Sequence, residues 1–235
     1  MPSVDPPVRL IRWLRAYRIV ASRFPPIGAF DAIADPSDRD ALAAIESLTN
    51  PRVRETRGEL VNVPPEHRVS GPGTAPLLAP FAHVNPEGSR FSDGRFGVLY
   101  LARQFDTAVE ETVFHRERFL ASTSEPPIDL EMRCYVSGVH GKLHDIRGGW
   151  PDAHAADSYA ASRKLGVRLR AEGSNGIAYD SVRRDGGECS ALFRPDLAKP
   201  CVQGKHLIYR WDGQRIVEVF EVSAVRRRNA LRPLA

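Results

Sequence analysis

Long apolar runs are missing from this sequence. No stretch of its 235 residues approaches the roughly 18–20 apolar residues that span a bilayer. The opening stretch MPSVDPPVRLIRWLRAY is interrupted by Arg9, Arg12 and Arg15, so it offers no continuous hydrophobic region of the signal-peptide kind. The expectation is a cytoplasmic protein without membrane contact. Cysteine is scarce. Cys134, Cys189 and Cys201 are an odd number without a Cys-x-x-Cys spacing, which argues against a disulfide framework and a thiolate zinc site. Reduced, partly buried thiols are the simpler expectation. Neither sign of charge dominates. Lys and Arg number 33 against 29 Asp and Glu, a net +4 compatible with an anionic ligand, an acidic partner or nucleic acid. The excess gathers in residues 199–235, where eight basic residues face only Asp212, Glu218 and Glu221. A short basic end reads as a solvated tail before it reads as a nucleic-acid site.

Several chemical signatures are absent as well. There is no Gly-x-Gly-x-x-Gly, no P-loop, no His-Glu-x-x-His and no Gly-x-Ser-x-Gly. His140 and His144 have a metal-like spacing, but Gly138 and Gly141 argue against one helix presenting both imidazoles, so no metal is expected. Ser181 has no nucleophile-elbow pattern around it, which leaves a hydrolase triad without support. No internal repeat or low-complexity segment is found.

What is present reads as alternating short elements. Arg9, Arg12, Arg15 and Arg18 fall three apart with Leu10, Trp13, Leu14 and Tyr17 between them; the pattern predicts an amphipathic surface helix running into a short strand at 17–20. Residues 36–50 predict a helix, and the Pro- and Gly-rich 61–90 an ordered loop system. A buried strand is expected at 96–102. A helix follows at 106–120, with Thr107 and Glu110 as a capping box and Val109, Val113 and Phe114 as its apolar face. Strands are expected at 131–139, 143–146, 176–182 and 190–193, and a helix at 158–171 with Gly173 ending it. Asp212-Gly213 predicts a closing hairpin. Strands and helices do not alternate regularly, so the expected class is α+β, a single domain with a split, mixed or antiparallel β-core flanked by helices.

Two stretches carry a resemblance. In SRFSDGRFGVLYLARQFDTAVEETVFHRERF stand Arg90-Phe91, Gly94, Tyr100-x-Ala102 and Ala108-x-x-Glu111. In GSNGIAYDSVRRDGGECSALFRP a Gly-Ile-x-Tyr-x-Ser strand is followed by Arg, Gly-Gly and Phe-x-Pro. Together with RAYRIVASRFPPIGAF upstream, these resemble the RES family in order and in spacing, over about a third of the chain. The resemblance implies an ADP-ribosyltransferase-like fold, NAD⁺ as the consumed substrate without a metal, and an Xre-like antitoxin as partner. It implies one RES-like domain over 1–235 with an insertion at 31–88.

The resemblance also assigns roles. Breaking the nicotinamide–ribose bond builds positive charge on the ribose, which a carboxylate stabilises. The family register gives that carboxylate to Glu111, although the helical wheel alone leaves Glu110 as an alternative. Ser181 becomes the orienting hydroxyl of the catalytic pair. Arg90 and Arg18 become pyrophosphate clamps and Tyr100 a ring to stack on nicotinamide, with Arg23 an alternative to Arg18. The resulting expectation is an NAD⁺-degrading enzyme acting as a toxin. Two alternatives remain: an ADP-ribosyltransferase modifying a protein acceptor, and a non-enzymatic nucleic-acid-binding protein. The second lacks any nucleic-acid-binding motif.

Overall fold

The computed structural model describes residues 5–22 and 63–223. The expected helix at 36–50, Arg23 and residues 224–235 of the basic segment lie outside the described residues. The elements in order are β1 (Val8–Ala21), a 3-10 turn at Pro65–His67, α1 (Ala75–Ala82), β2 (Leu99–Ala102), α2 (Phe105–Thr123) and β3 (Ile128–Asp145). A second 3-10 turn (Pro151–His154) precedes α3 (Ala160–Ala171), β4 (Gly176–Asp180) and β5 (Glu188–Leu192). A third (Pro195–Leu197) precedes β6 (Val202–Trp211) and β7 (Ile216–Val222).

The strands form one mixed sheet in the order β1-β2-β5-β4-β3-β6-β7, and β1 also pairs with β3. That extra pairing closes β1, β2, β5, β4 and β3 into a ring, with β6 and β7 extending from β3. Of the pairings, β3 with β4 is parallel and the others are antiparallel. The class is therefore α+β, as the irregular alternation predicts. Long β3 organises the ring. One edge runs along β1; the other pairs first with β6 from Ile128 to Val136, then with β4 at His144 and Asp145.

Two cores flank the sheet. The first packs Ile19, Phe91, Tyr179, Cys189 and Tyr209 with residues of α2 and α3 such as Ala108 and Leu169. The second packs Ile11, Trp13, Leu101, Tyr135 and Leu143 with Leu77 and Phe81 of α1. Cys134, Cys189 and Cys201 are all buried and free. No helix among the described residues is long and apolar enough to cross a membrane.

Four local expectations are corrected. Residues 8–16 form strand, not helix. The inward residues Ile11, Trp13 and Ala16 step by two and then by three because a bulge falls between Trp13 and Ala16. That extra residue imitates a helical period and leaves Leu14 exposed. The 61–90 stretch contains α1, whose Pro76 sits in the first turn, where no backbone donor is needed. The strands expected at 131–139 and 143–146 are one strand: Gly138 and Gly141 mark close approaches to Trp13 and to Leu197, not a turn. The capping box does not form. α2 starts one residue earlier, at Phe105, with Gln104 as N-cap, and Thr107 is buried and donates to the Gln104 side chain.

Candidate active site

Glu111 projects from the second turn of α2 toward the end of β4. There Ser181 Oγ donates a hydrogen bond to Glu111 Oε1 at 2.7 Å. The same serine oxygen accepts the backbone N–H groups of Arg183 (3.1 Å) and Arg184 (3.2 Å). Its proton points at the carboxylate and its lone pairs are occupied, so Ser181 orients Glu111 and is poorly placed to act as a nucleophile. Glu111 Oε2 has no partner among the described residues. Glu110, the wheel alternative, is exposed.

The β4–β5 turn is held against α2 by contact at Gly187. A side chain there would put Cβ 2.7 Å from Thr107 Oγ1 and 2.8 Å from its Cγ2. Glycine therefore lets the turn that follows Ser181 approach the helix that carries Glu111. Arg184 reinforces the junction by pairing with Asp106 at 3.2 Å.

Arg90 lies in the loop before β2 and is 6% exposed. Its Nη1 donates to the carbonyls of Ala153 and Ala155, both at 3.2 Å, and its guanidinium stands 4.5 Å from the Tyr159 ring centroid. Nη2 is buried without a hydrogen-bond partner, and no carboxylate among the described residues pairs with this cation. A buried guanidinium without an anion is destabilising, and an anionic ligand would relieve it.

Tyr100 acts through that loop. Its hydroxyl exchanges a hydrogen bond with Ser89 Oγ at 2.8 Å and accepts the Phe91 N–H at 3.0 Å, bracketing Arg90. Burial pushes the phenol pKa up to about 12, against the lowering effect of these bonds. Tyr100 thus anchors the backbone on both sides of Arg90. The charges of Arg90 and Glu111 both act on Tyr179 and Cys189, residues of the first core. Burial is the first cause that holds both groups protonated; Glu111 comes next for Cys189, and Cys189 then Glu111 for Tyr179.

Arg18 is not brought to this group. Alternation along β1 sends Tyr17 and Ile19 to the first core and Ala16 and Val20 to the second. Arg18 pairs in register with Tyr135 and feels Cys201 and Tyr135, residues of the second core. Sequence reasoning also passed over residues that the fold does bring here. Arg183 stacks 3.3 Å from the Phe114 ring centroid, donates to Ala156 O at 2.7 Å, and has a buried Nε without a partner. The adjacent Arg183-Arg184 pair was visible after Ser181, but only the ion pair of Arg184 shows which of the two is uncommitted. His115, one turn beyond Glu111, keeps an edge in solvent. Desolvation by its neighbours first, then repulsion by Arg183, Arg116, Arg90 and Arg118, holds its pKa down to about 4. Tyr159 gave no signal in the sequence. Among the described residues no cluster of His, Cys, Asp or Glu is fit to hold a metal ion. His144 instead hydrogen-bonds Ser174.

A family model described as the RES domain matches residues 65–212. The uncharacterized protein y4oC of Sinorhizobium fredii (strain NBRC 101917 / NGR234) is 35% identical over 205 residues, which is 85% of this chain and 84% of that protein. The crystal structure of the M. tuberculosis MbcT–MbcA toxin–antitoxin complex is similar at a TM-score of 0.42 and 11% identity, over 87% of this chain and 85% of that chain. The family match covers more than half of the chain and includes Arg90, Tyr100, Glu111 and Ser181, so the protein belongs to the RES-domain family.

Proposed function

We propose that this protein cleaves the nicotinamide–ribose bond of NAD⁺ and acts as a toxin restrained by an Xre-like antitoxin. Family membership supports the reading. The observation that carries it is two uncommitted charges that both act on Tyr179 and Cys189 of the first core: a Glu111 oxygen left free by Ser181, and the buried Arg90 guanidinium with no anion. In the reaction the ribose C1′–N bond breaks and its electron pair leaves with nicotinamide. Positive charge grows on the ribose, where Glu111 Oε2 stabilises it. Arg90 Nη2 and Arg183 Nε anchor the diphosphate. Water, or another acceptor, then bonds to C1′ and gives up a proton. The reading implies a cytoplasmic location, where NAD⁺ is held, and an antitoxin that covers the cleft.

The test is nicotinamide release from NAD⁺ by purified protein. Wild type releases nicotinamide, and Glu111→Gln, of nearly the same shape, is slower by about a hundredfold or more. A folded wild type that releases none overturns the proposal. Mass spectrometry of proteins added to the assay distinguishes the acceptors: ADP-ribose on a protein favours transfer, free ADP-ribose favours hydrolysis.

A further inference from the structure

The segment that leaves β3 does two things at once. Its carbonyls at Ala153 and Ala155 hold Arg90, and its carbonyl at Ala156 holds Arg183. It also replaces the sheet beside the end of β4. The β3–β4 ladder pairs only His144 and Asp145 with Ile177 and Ala178, after which Ile146 N–H donates to Ala178 O. Asp180, two residues on, is left without a β3 partner. Its N–H donates to His154 Nε2 at 3.1 Å, and its carboxylate Oδ2 accepts the Gly148 N–H at 2.6 Å.

The hydrogen bonds fix the state of that imidazole. A backbone N–H can only donate, so His154 Nε2 is the unprotonated nitrogen. The proton therefore resides on Nδ1, which donates to Trp150 O at 3.1 Å. Both nitrogens are occupied. Asp180 directly precedes Ser181, which holds Glu111. Alongside the Gly148–Asp180 and Arg183–Ala156 bonds, the His154 side chain thus ties the backbone that positions two arginines to the strand end that positions the carboxylate.

We infer that His154 is a positioning residue that sets the arginine pair in register with Glu111 and Ser181. The inference rests on the NAD⁺ reading for its catalytic consequence but not for the latch itself, and the experiment separates the two. His154→Gln places an acceptor oxygen where Nε2 stands; His154→Asn resembles only the Nδ1 side; His154→Ala removes both. The Asp180 amide is expected to be protected from hydrogen exchange in the wild type and in His154→Gln, and to exchange faster in His154→Asn and His154→Ala. A long-range proton–nitrogen spectrum of the wild type is expected to show the Nδ1–H tautomer. With NAD⁺ as substrate, His154→Ala and His154→Asn raise KM about tenfold and lower kcat less, while His154→Gln stays within about twofold of the wild type. A mere loss of folded protein would lower apparent kcat and leave KM unchanged. Inorganic pyrophosphate supplies a probe independent of bond cleavage: its affinity follows the same order of variants. If NAD⁺ is not cleaved but pyrophosphate affinity and Asp180 exchange follow that order, the latch stands and the reaction assignment falls. Equal Asp180 exchange in all four proteins, or a KM and pyrophosphate affinity that ignore the Gln-for-Asn distinction, overturns the inference.

Discussion

Keeping Arg90 buried beside no carboxylate costs the fold stability, and two groups are committed to holding it in place: the carbonyls of 153–155 and the hydroxyl of Tyr100. Tyr100→Phe tests the second. The ring is retained, but Ser89 Oγ and the Phe91 N–H lose their partner, at about 1–3 kcal/mol. The expected result is a melting temperature a few degrees lower and a KM for NAD⁺ that rises more than kcat falls. An unchanged KM would mean that the loop holds Arg90 without the tyrosine. The same residues show what a sequence can and cannot convey. Glu111 was legible because the family register fixes its position on a regular helix, which then determines its face. Tyr100 was legible as a position but not in its manner of action, because a hydroxyl eleven residues from its partner leaves no periodic trace. Arg18 falls beside the second core, and that face was not legible because it depends on counting from the bulge at 13–16, which the residue pattern conceals.

At the scale of elements, α3, β4, β5 and the β6–β7 hairpin follow the expected pattern, with local signals such as Gly173 and Asp212-Gly213, while α2 forms without its expected capping box. The misread elements are those whose shape is set from outside: β1 by its bulge, and β3 by partners that change along its length. Where β3 passes from β6 to β4, Asp145 gathers cations. Its carboxylate receives Arg147 Nε and Nη2, each at 2.8 Å, and Arg9 Nε lies 3.6 Å away. Arg147 continues to Glu188 of β5 at 3.1 Å, so the cluster joins three strands. Burial pushes the Asp145 pKa up, but the hydrogen bonds from Arg147 and the charge of Arg9 outweigh it, and the net shift is downward. A carboxyl with a depressed folded-state pKa adds stability that is fully present above its unfolded value, near 3.9, and is lost as pH falls through the folded value. Asp145→Asn should therefore lower the urea midpoint at pH 7, by about 1–3 kcal/mol in stability, with the gap to wild type closing below about pH 4. A gap independent of pH would remove the ion pairs as its cause.

The whole molecule places its two cores unequally with respect to the site. The closed ring of five strands divides them, and Glu111, Ser181, Arg90 and Arg183 all stand with the core under α2 and α3. The opposite core packs α1 and Tyr135 against the ring, and Arg18 lies beside Tyr135 and Cys201 of that core. The residues assigned to the site run from 89 to 184, so the basic C-terminal stretch contributes none of them. Residues 224–235 carry four arginines and no acid; deleting them takes the formal net charge from +4 to 0. If the chain acts through NAD⁺, that deletion should leave kcat and KM for nicotinamide release within about twofold of the full chain. If nucleic-acid binding is what the protein does, the deletion should instead abolish a salt-sensitive affinity for DNA or RNA, because each lost phosphate contact lowers the slope of log K against log salt by about 0.9 on duplex DNA. Both measurements on the same pair of proteins decide the matter: unchanged turnover removes residues 224–235 from the reaction, whereas lost turnover in a folded deletion would bring the C-terminal arginines to the cleft and reopen the assignment of the anion-binding pair.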